Sequence, residues 1–107
     1  MAKATIEQRV ARGVKFMNTE YGRSWLRKID PEALALADNT ACVIGQVEGE
    51  YCAGVRKLGL EDPEGLGFDI DDTDGGSAYA KLTRTWKKSI VKLQKLFKIT
   101  YQRKDDV

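Results

Sequence analysis

The segment from Asp69 to Gly76 carries four aspartates, the residue type that calcium-binding loops use. An EF-hand loop requires oxygen ligands at its first, third and fifth positions, glycine at the sixth and glutamate at the twelfth. Counted from Asp69, the sixth position is Asp74 and the twelfth is Ala80, and a count from Asp72 fits no better. We therefore predict a solvated acidic loop and no metal site, with its charge stabilising the N-terminus of the following helix.

Few other side chains suit catalysis or metal binding. The chain has no histidine and two cysteines, Cys42 and Cys52, so a Cys/His zinc site within one chain is excluded. We expect both cysteines to be small buried residues in a reducing compartment. No Ser–His or Cys–His nucleophile can be built, and Glu48 and Glu50 are acid–base candidates by residue type only. We predict no catalytic residue, no cofactor and no enzymatic activity.

Charge is divided unevenly along the chain. Residues 78–107 contain nine Lys/Arg and two Asp/Glu, whereas residues 1–77 contain nine Lys/Arg and fourteen Asp/Glu. The C-terminal segment is therefore strongly basic and the remainder acidic. Such asymmetry indicates either a surface for an acidic partner or two parts of one protein that attract each other.

The basic segment has the pattern of an amphipathic helix from about Ser77 to Phe97. Its apolar residues recur at steps of three and four, which places them on one face: Tyr79, Leu82, Trp86, Ile90, Leu93 and Phe97. The opposite face carries the predicted partner-binding residues Lys81, Arg84, Lys87, Lys88, Lys92 and Lys95. This face suits an acidic protein, a membrane surface, the phosphates of a nucleic acid, or solvent alone. The acidic loop before the helix would repel DNA, which ranks nucleic acid below protein.

Two further helices are predicted near the N-terminus. Thr5-Ile6-Glu7-Gln8 has the form of a capping box and begins a helix that extends to about Glu20. Gly22 follows it, as expected just past a helix end. A short second helix over residues 23–29 would turn Trp25, Leu26 and Ile29 inward, and we expect Trp25 and Trp86 to be core residues.

The third predicted element is a central helix from about Thr40 to Leu58. Gly45, Gly49 and Gly54 lie inside it, although each interior glycine costs ~1 kcal/mol relative to alanine. Either a second element approaches these glycines closely, or the helix breaks near Gly49. The apolar stripe favours the unbroken helix, which is our prediction.

Together these elements predict one all-α domain, a bundle of about four helices over residues 1–97, followed by a C-terminal tail over residues 98–107 that we expect to be mobile. No apolar run approaches the ~18 residues of a membrane span. The N-terminus lacks the apolar segment of a secretory signal, so we expect a cytoplasmic protein. The sequence does not predict the oligomeric state.

The stretch from Val10 to Ile90 resembles a family of small uncharacterised proteins encoded by bacteriophages of actinobacteria. The resemblance is carried by Gly22-x-x-Trp25, Tyr79-x-x-Leu82-Thr83-x-x-Trp86 and, most specifically, Cys42-Val43-Ile44-Gly45-Gln46. The chain departs from the family pattern at Ser24 and Glu48, where aromatic residues are usual. The resemblance implies a phage accessory protein that acts inside the host cell, and it brings no catalytic residues.

Three functions follow as hypotheses. The first is a non-enzymatic module that binds a host or phage protein through the basic face of the last helix. The second is a nucleic-acid-binding accessory protein that uses the same face. The third is a small-molecule-binding protein, which would need a pocket beside the glycines of the central helix.

Overall fold

A computed structural model describes residues 4–71 and 73–103 of the 107-residue chain. These residues form no β-strand but four α-helices, α1 (Ile6–Tyr21), α2 (Val43–Glu48), α3 (Tyr51–Leu58) and α4 (Ala78–Phe97), and a 3₁₀ helix (Gly22–Lys28). The all-α prediction is confirmed. Residues 1–3, Asp72 and the end of the predicted tail, Lys104–Val107, lie outside the described residues.

Helix α1 begins with the predicted capping box. The Thr5 hydroxyl accepts a hydrogen bond from the Gln8 backbone N–H, and the Gln8 side chain accepts one from the Thr5 N–H. The helix ends at Gly22, whose φ of 64° is a conformation that glycine adopts without steric cost. The chain then continues directly into the 3₁₀ helix, where Trp25 and Leu26 are buried, and Ile29 directly after it is buried too, so all three predicted inward residues lie in the core.

The prediction of one unbroken central helix is wrong, because the segment forms α2 and α3 with a break between them. Gly49 ends α2 at a φ of 99°, which residues with a side chain rarely adopt. The Glu50 carboxylate then accepts hydrogen bonds from the N–H groups of Cys52 and Ala53, which caps the start of α3. The break near Gly49 is therefore the correct alternative.

Close approach explains the other two glycines of this segment. A Cβ atom on Gly45 would collide with the backbone of Asn39 and Thr40, and one on Gly54 would collide with the Ile44 side chain. Small residues at these positions allow α2 to pack against the preceding loop and α3 to pack against α2. Both of the proposed reasons for the glycines thus apply, at different positions.

Aromatic side chains connect the helices in the core. The rings of Trp25 and Trp86 meet edge to face with centroids 6.4 Å apart, and Phe68 stacks on Trp86 at 5.5 Å. Trp86 donates its indole N–H to the Gly67 carbonyl, and Trp25 donates to the Asn18 side chain. Because both tryptophans are fully packed and hydrogen-bonded, their prediction as core residues is confirmed.

Candidate partner-binding surface on helix α4

Helix α4 separates its apolar and basic residues as predicted. Leu82, Trp86 and Ile90 have no exposed surface, and the partly buried residues of the same stripe, Tyr79, Leu93 and Phe97, pack against the core. Contacts from other elements fix the helix in position. The Thr83 hydroxyl accepts the Leu36 N–H, and the Gln94 side chain donates to the carbonyl groups of Leu26 in the 3₁₀ helix and of Ile29 directly after it.

The outer side of α4 bears the six predicted residues, which we call the basic face: Lys81, Arg84, Lys87, Lys88, Lys92 and Lys95. Five of them, all except Lys81, line one shallow and largely open depression of the helix surface together with Val91. Arg84, Lys88, Val91 and Lys95 follow at steps of four, three and four, so they form one row along the helix. This row extends over about 16 Å.

Two residues of the basic face form ion pairs with the acidic part of the chain. The Lys81 amine lies 3.5 Å from the Glu7 carboxylate and the Lys87 amine 4.0 Å from the Glu32 carboxylate, and all four side chains are largely accessible to solvent. Exposed ion pairs of this kind contribute about 0–1 kcal/mol to the free energy of unfolding. Within the described residues, no ion pair engages Arg84, Lys88, Lys92 or Lys95. Attraction between the two parts of the chain thus uses only a fraction of the face.

Exposed apolar side chains on α4 were not predicted from the sequence. Val91 is 41% exposed and Leu96 is 65% exposed, and they are the large exposed hydrophobic side chains of the described chain. Val91 lies inside the cationic depression, on the side of the helix away from the core. The sequence does contain a signal for this exposure. Neither Val91 nor Leu96 falls on the apolar stripe, and an apolar residue off the stripe of an amphipathic helix is expected at the surface.

The acidic loop is less solvated than predicted, because two of its aspartates point inward. Asp74 accepts two hydrogen bonds from the guanidinium of Arg9, at 3.0 and 2.9 Å, and both side chains are less than a tenth exposed. The hydrogen bonds to Asp74 raise the pKa of Arg9 against the opposing effect of burial. The two residues are 65 positions apart, so local sequence patterns did not predict this buried ion pair.

Asp69 is the second inward aspartate, and it accepts hydrogen bonds from two tyrosine hydroxyls. The Tyr79 hydroxyl lies 2.6 Å from one of its oxygens and the Tyr51 hydroxyl 3.0 Å from the other. The hydrogen bond to Asp69, together with burial, raises the pKa of Tyr79 to about 12. Burial, reinforced by the Asp69 charge, also raises the pKa of Tyr51. These phenols remain protonated donors at neutral pH, which suits a structural contact between α3, the loop and α4.

The two cysteines differ, and the prediction that both are buried is wrong for one of them. Cys42 is buried and Cys52 is exposed, and both are free thiols. The Cys42 sulfur accepts a hydrogen bond from the Gly45 N–H at the start of α2. Burial raises the pKa of Cys42, and a thiol that stays protonated is a poor nucleophile. Cys42 therefore acts as a helix cap in this fold.

The carboxylates singled out as acid–base candidates by type have structural partners. Glu48 accepts a hydrogen bond from the Tyr21 hydroxyl and pairs with Lys57 at 2.9 Å. The hydrogen bond from Tyr21 and then the contact with Lys57 lower the pKa of Glu48, which opposes a role as a proton donor at neutral pH. Glu50 is occupied in capping α3.

Comparison with other proteins gives no assignment, since no family model, no curated protein and no solved structure matches the chain. Within the described ranges, no group of three or more cysteine and acidic residues is arranged to hold a metal ion. A search of the same ranges for a helix with the length and apolar character of a bilayer span finds none.

Proposed function

We propose that this protein is a small non-enzymatic interaction module that binds an acidic segment of a partner protein on the basic face of α4. The observation that carries the proposal is the position of Val91, an exposed apolar side chain within a depression whose other lining residues are Arg84, Lys87, Lys88, Lys92 and Lys95. An apolar centre with a polar rim is the common anatomy of protein–protein interfaces.

The chemistry of the depression defines the partner segment. Lysine and arginine present aliphatic stems near the helix and charged groups further out, so the base of the depression is largely carbon. A partner segment with one apolar side chain between acidic residues would bury that side chain against Val91 and place its carboxylates among the cations. Such complementarity favours fast and specific association.

The apolar stripe of α4 argues against a membrane surface as the target. An interfacial helix binds by burying its apolar face in the lipid, but Leu82, Trp86 and Ile90 are already buried in the core. Only Val91 and Leu96 are left for such contact on this helix.

Nucleic acid is the second candidate, and the Arg9–Asp74 ion pair favours it. That pair neutralises one of the loop aspartates, and Lys88 lies ten residues beyond the start of α4, about 15 Å along its axis. At physiological salt the screening length is ~8 Å, which is shorter than the distance from the start of α4 to Lys88. Screening therefore weakens the predicted repulsion between the acidic loop and a DNA backbone bound at this face. Protein ranks first because exposed Val91 and Leu96 would add nothing to phosphate contacts.

The cellular setting in this proposal, a phage accessory protein acting in the cytoplasm of an actinobacterial host, is supported by the sequence resemblance alone. A direct test is affinity capture from host lysate with four chains. They are the intact protein, a basic-face variant with Lys88, Lys92 and Lys95 changed to Gln, the variant Val91→Asp, and a control in which the exposed residues Arg12, Lys15 and Arg56 are changed to Gln.

The proposal requires one protein to be captured by the intact chain and by the control, and to be lost from the basic-face variant and from Val91→Asp. Equal capture by all four chains would reject this face as the binding surface. In parallel, a labelled DNA duplex and a labelled RNA should be titrated at low and physiological salt. The result that would transfer the function to nucleic acid is a binding constant that falls steeply as the salt concentration rises, together with loss of that binding in the basic-face variant.

A further inference from the structure

A short acidic segment, which we call the acidic turn, lies between α3 and the loop that leads to α4. Its sequence is Glu61-Asp62-Pro63-Glu64, and residues 58–80 as a whole contain seven acidic residues and no lysine or arginine. Glu61 and Asp62 are exposed, while Pro63 and Glu64 are partly buried. Within the ranges that the structure describes, no ion pair engages the three carboxylates of the turn. Contacts inside the molecule therefore do not neutralise them.

Hydrogen bonds give the acidic turn a fixed shape. The Asp62 carboxylate accepts the Gly65 N–H at 3.1 Å, and the Pro63 carbonyl accepts the Phe68 N–H at 2.9 Å. Phe68 is buried and stacks on Trp86, so the end of the turn is anchored in the core. The carboxylates are thus attached to an ordered backbone, and binding costs little further conformational entropy of that backbone.

The acidic turn and the basic face lie on different sides of α4. Trp86 points from α4 into the core and donates its indole N–H to the carbonyl of Gly67, three residues after Glu64. A Cβ atom on Gly67 would also lie 3.0 Å from the backbone of Arg9 and Val10 in α1. The turn is therefore attached on the core side of α4 and beside α1, away from the basic face of its own molecule.

The acidic turn has the chemistry that the basic face is proposed to bind, an apolar residue between acidic ones. Pro63 lies between Asp62 and Glu64, and Glu61 adds a third carboxylate. Arg12 lines a small groove beside Asp62 and Glu64 but forms an ion pair with neither of them. Three carboxylates with one arginine nearby leave an excess of negative charge, which complements the four cations of the basic face that form no ion pair.

The balance of charge over the whole chain also favours contact between copies. The formal net charge is only +2, although it is the sum of a strongly basic C-terminal segment and an acidic remainder. Two copies therefore repel each other weakly as whole molecules, and a small net charge favours association. Attraction between oppositely charged surfaces then determines how the two copies are oriented.

We infer that the basic face of α4 binds the acidic turn of a second copy of this chain. The inference rests on the proposed function, because it assigns a partner to the same face. Pro63 of one copy would contact Val91 of the other, with the carboxylates of the turn among the surrounding cations. Because the turn and the face lie on different sides of each molecule, the contact is head-to-tail and extends into longer chains. A different protein that binds the basic face has to displace this contact.

The test is light scattering of the full chain at concentrations up to about 1 mM, since weak contacts have dissociation constants of this order. At low salt we expect the average mass to rise steadily with protein concentration. At about 1 M salt, where the screening length is about 3 Å, it should return to the mass of the monomer. A protein that stays monomeric at low salt over the whole range overturns the inference.

Neutralised variants locate the two surfaces. The basic-face variant and an acidic-turn variant with Glu61→Gln, Asp62→Asn and Glu64→Gln should each weaken association by about tenfold or more, because each removes three charges from one side of the contact. Asn at position 62 can still accept the Gly65 N–H. Glu20→Gln, at an exposed position of α1, is the control and should associate like the intact chain. An acidic-turn variant that associates as strongly as the control contradicts the inference.

An exchange of charges tests the contact directly. Changing the three lysines of the basic-face variant to Glu should abolish association, and so should changing the three acids of the turn to Lys. A combined variant carries both exchanges, which cancel in net charge, and should associate again because its two surfaces are once more opposite in sign. Circular dichroism checks that each variant keeps its helices. A folded combined variant that remains monomeric overturns the inference.

Failure of this inference can be distinguished from failure of the proposed function. If the protein is monomeric but captures a partner through the basic face, the proposed function stands and only the inference fails. If association requires both surfaces while capture from lysate does not depend on the basic face, the inference stands and the proposed function fails. The acidic-turn variant should capture a partner at least as well as the intact chain, since its basic face is not occupied by a second copy.

Discussion

Arg9 and Asp74 form a two-bond ion pair that joins α1 to the loop before α4. The two residues are 65 positions apart, and their side chains are almost completely excluded from solvent. Arg9 also donates its Nε–H to the Ala4 carbonyl, so the guanidinium connects the N-terminus, the helix and the loop. This pair therefore holds the loop that leads into α4 against α1.

The first prediction concerns that ion pair. Changing Asp74 to Asn should destabilise the fold by about 3–5 kcal/mol, because it leaves a buried guanidinium without its counter-charge. Urea unfolding followed by tryptophan fluorescence measures the change. The double variant Arg9→Met with Asp74→Leu should recover much of the loss, since replacing both charges removes the uncompensated one. A double variant that is less stable than Asp74→Asn would contradict this explanation.

The second prediction concerns Gly13, at which α1 and α4 approach each other. A Cβ atom there would lie 2.6 Å from the Trp86 ring and closer still to the Leu66 carbonyl oxygen. Gly13→Ala should therefore cost at least the ~1–3 kcal/mol of an overpacked core, with a change in Trp86 fluorescence. Gly76→Ala is the control, because a Cβ atom there meets no atom within 4 Å. Equal stability of the two variants would refute the close approach.

The third prediction concerns acid stability. The Tyr21 hydroxyl and Lys57 lower the pKa of Glu48 in the folded state below its ordinary value of 4.5. The stabilisation from this group is therefore present above pH 4.5 and is lost as the pH falls through the lowered folded-state pKa. The free energy of unfolding should fall over this acidic range, and Glu48→Gln should flatten that part of the profile. Glu61→Gln, at an exposed position, should leave the profile unchanged.

The fourth prediction concerns alkaline stability. The pKa of Tyr79 is raised from 10.0 to about 12 by its hydrogen bond to Asp69 and by burial. Stability from this phenol is fully present below pH 10 and declines between pH 10 and pH 12, because the unfolded chain releases the proton first. Tyrosinate absorbance and unfolding measured over this range should show the decline. Tyr79→Phe should reduce it, whereas Tyr101→Phe leaves the Asp69 contact intact; identical profiles for the two variants would argue against the assignment.

Local patterns were sufficient to predict α1 and α4. The Thr5 capping box and the stripe from Tyr79 to Phe97 involve residues within one or two turns of each other, so the sequence contains the whole signal. The basic residues of α4 follow from the same periodicity. The same pattern places Val91 among them, because an apolar residue off the apolar stripe lies on the polar side of the helix.

The features that sequence reasoning missed depend on distant residues. The break between α2 and α3 is stabilised by the Tyr51 N–H, which donates to the Asn39 carbonyl instead of continuing the helix. Burial of Arg9 requires Asp74, and the return of the segment after α4 to the 3₁₀ helix requires the Gln102 N–H to donate to the Arg27 carbonyl. Helical periodicity carries no information about such long-range contacts, because they are set by how the elements pack.

The polar contacts at the two ends of α4 have a consequence for the kinetics of association. Tyr79 bonds to Asp69 near its start, and Gln94 bonds to the carbonyl groups of Leu26 and Ile29 near its end. A partner that arrives at the basic face thus meets a helix that needs no reordering, and the loss of conformational entropy falls mainly on the partner. The association rate should then be governed by charge attraction and decrease as salt is added, while the dissociation rate should depend on the apolar contact at Val91.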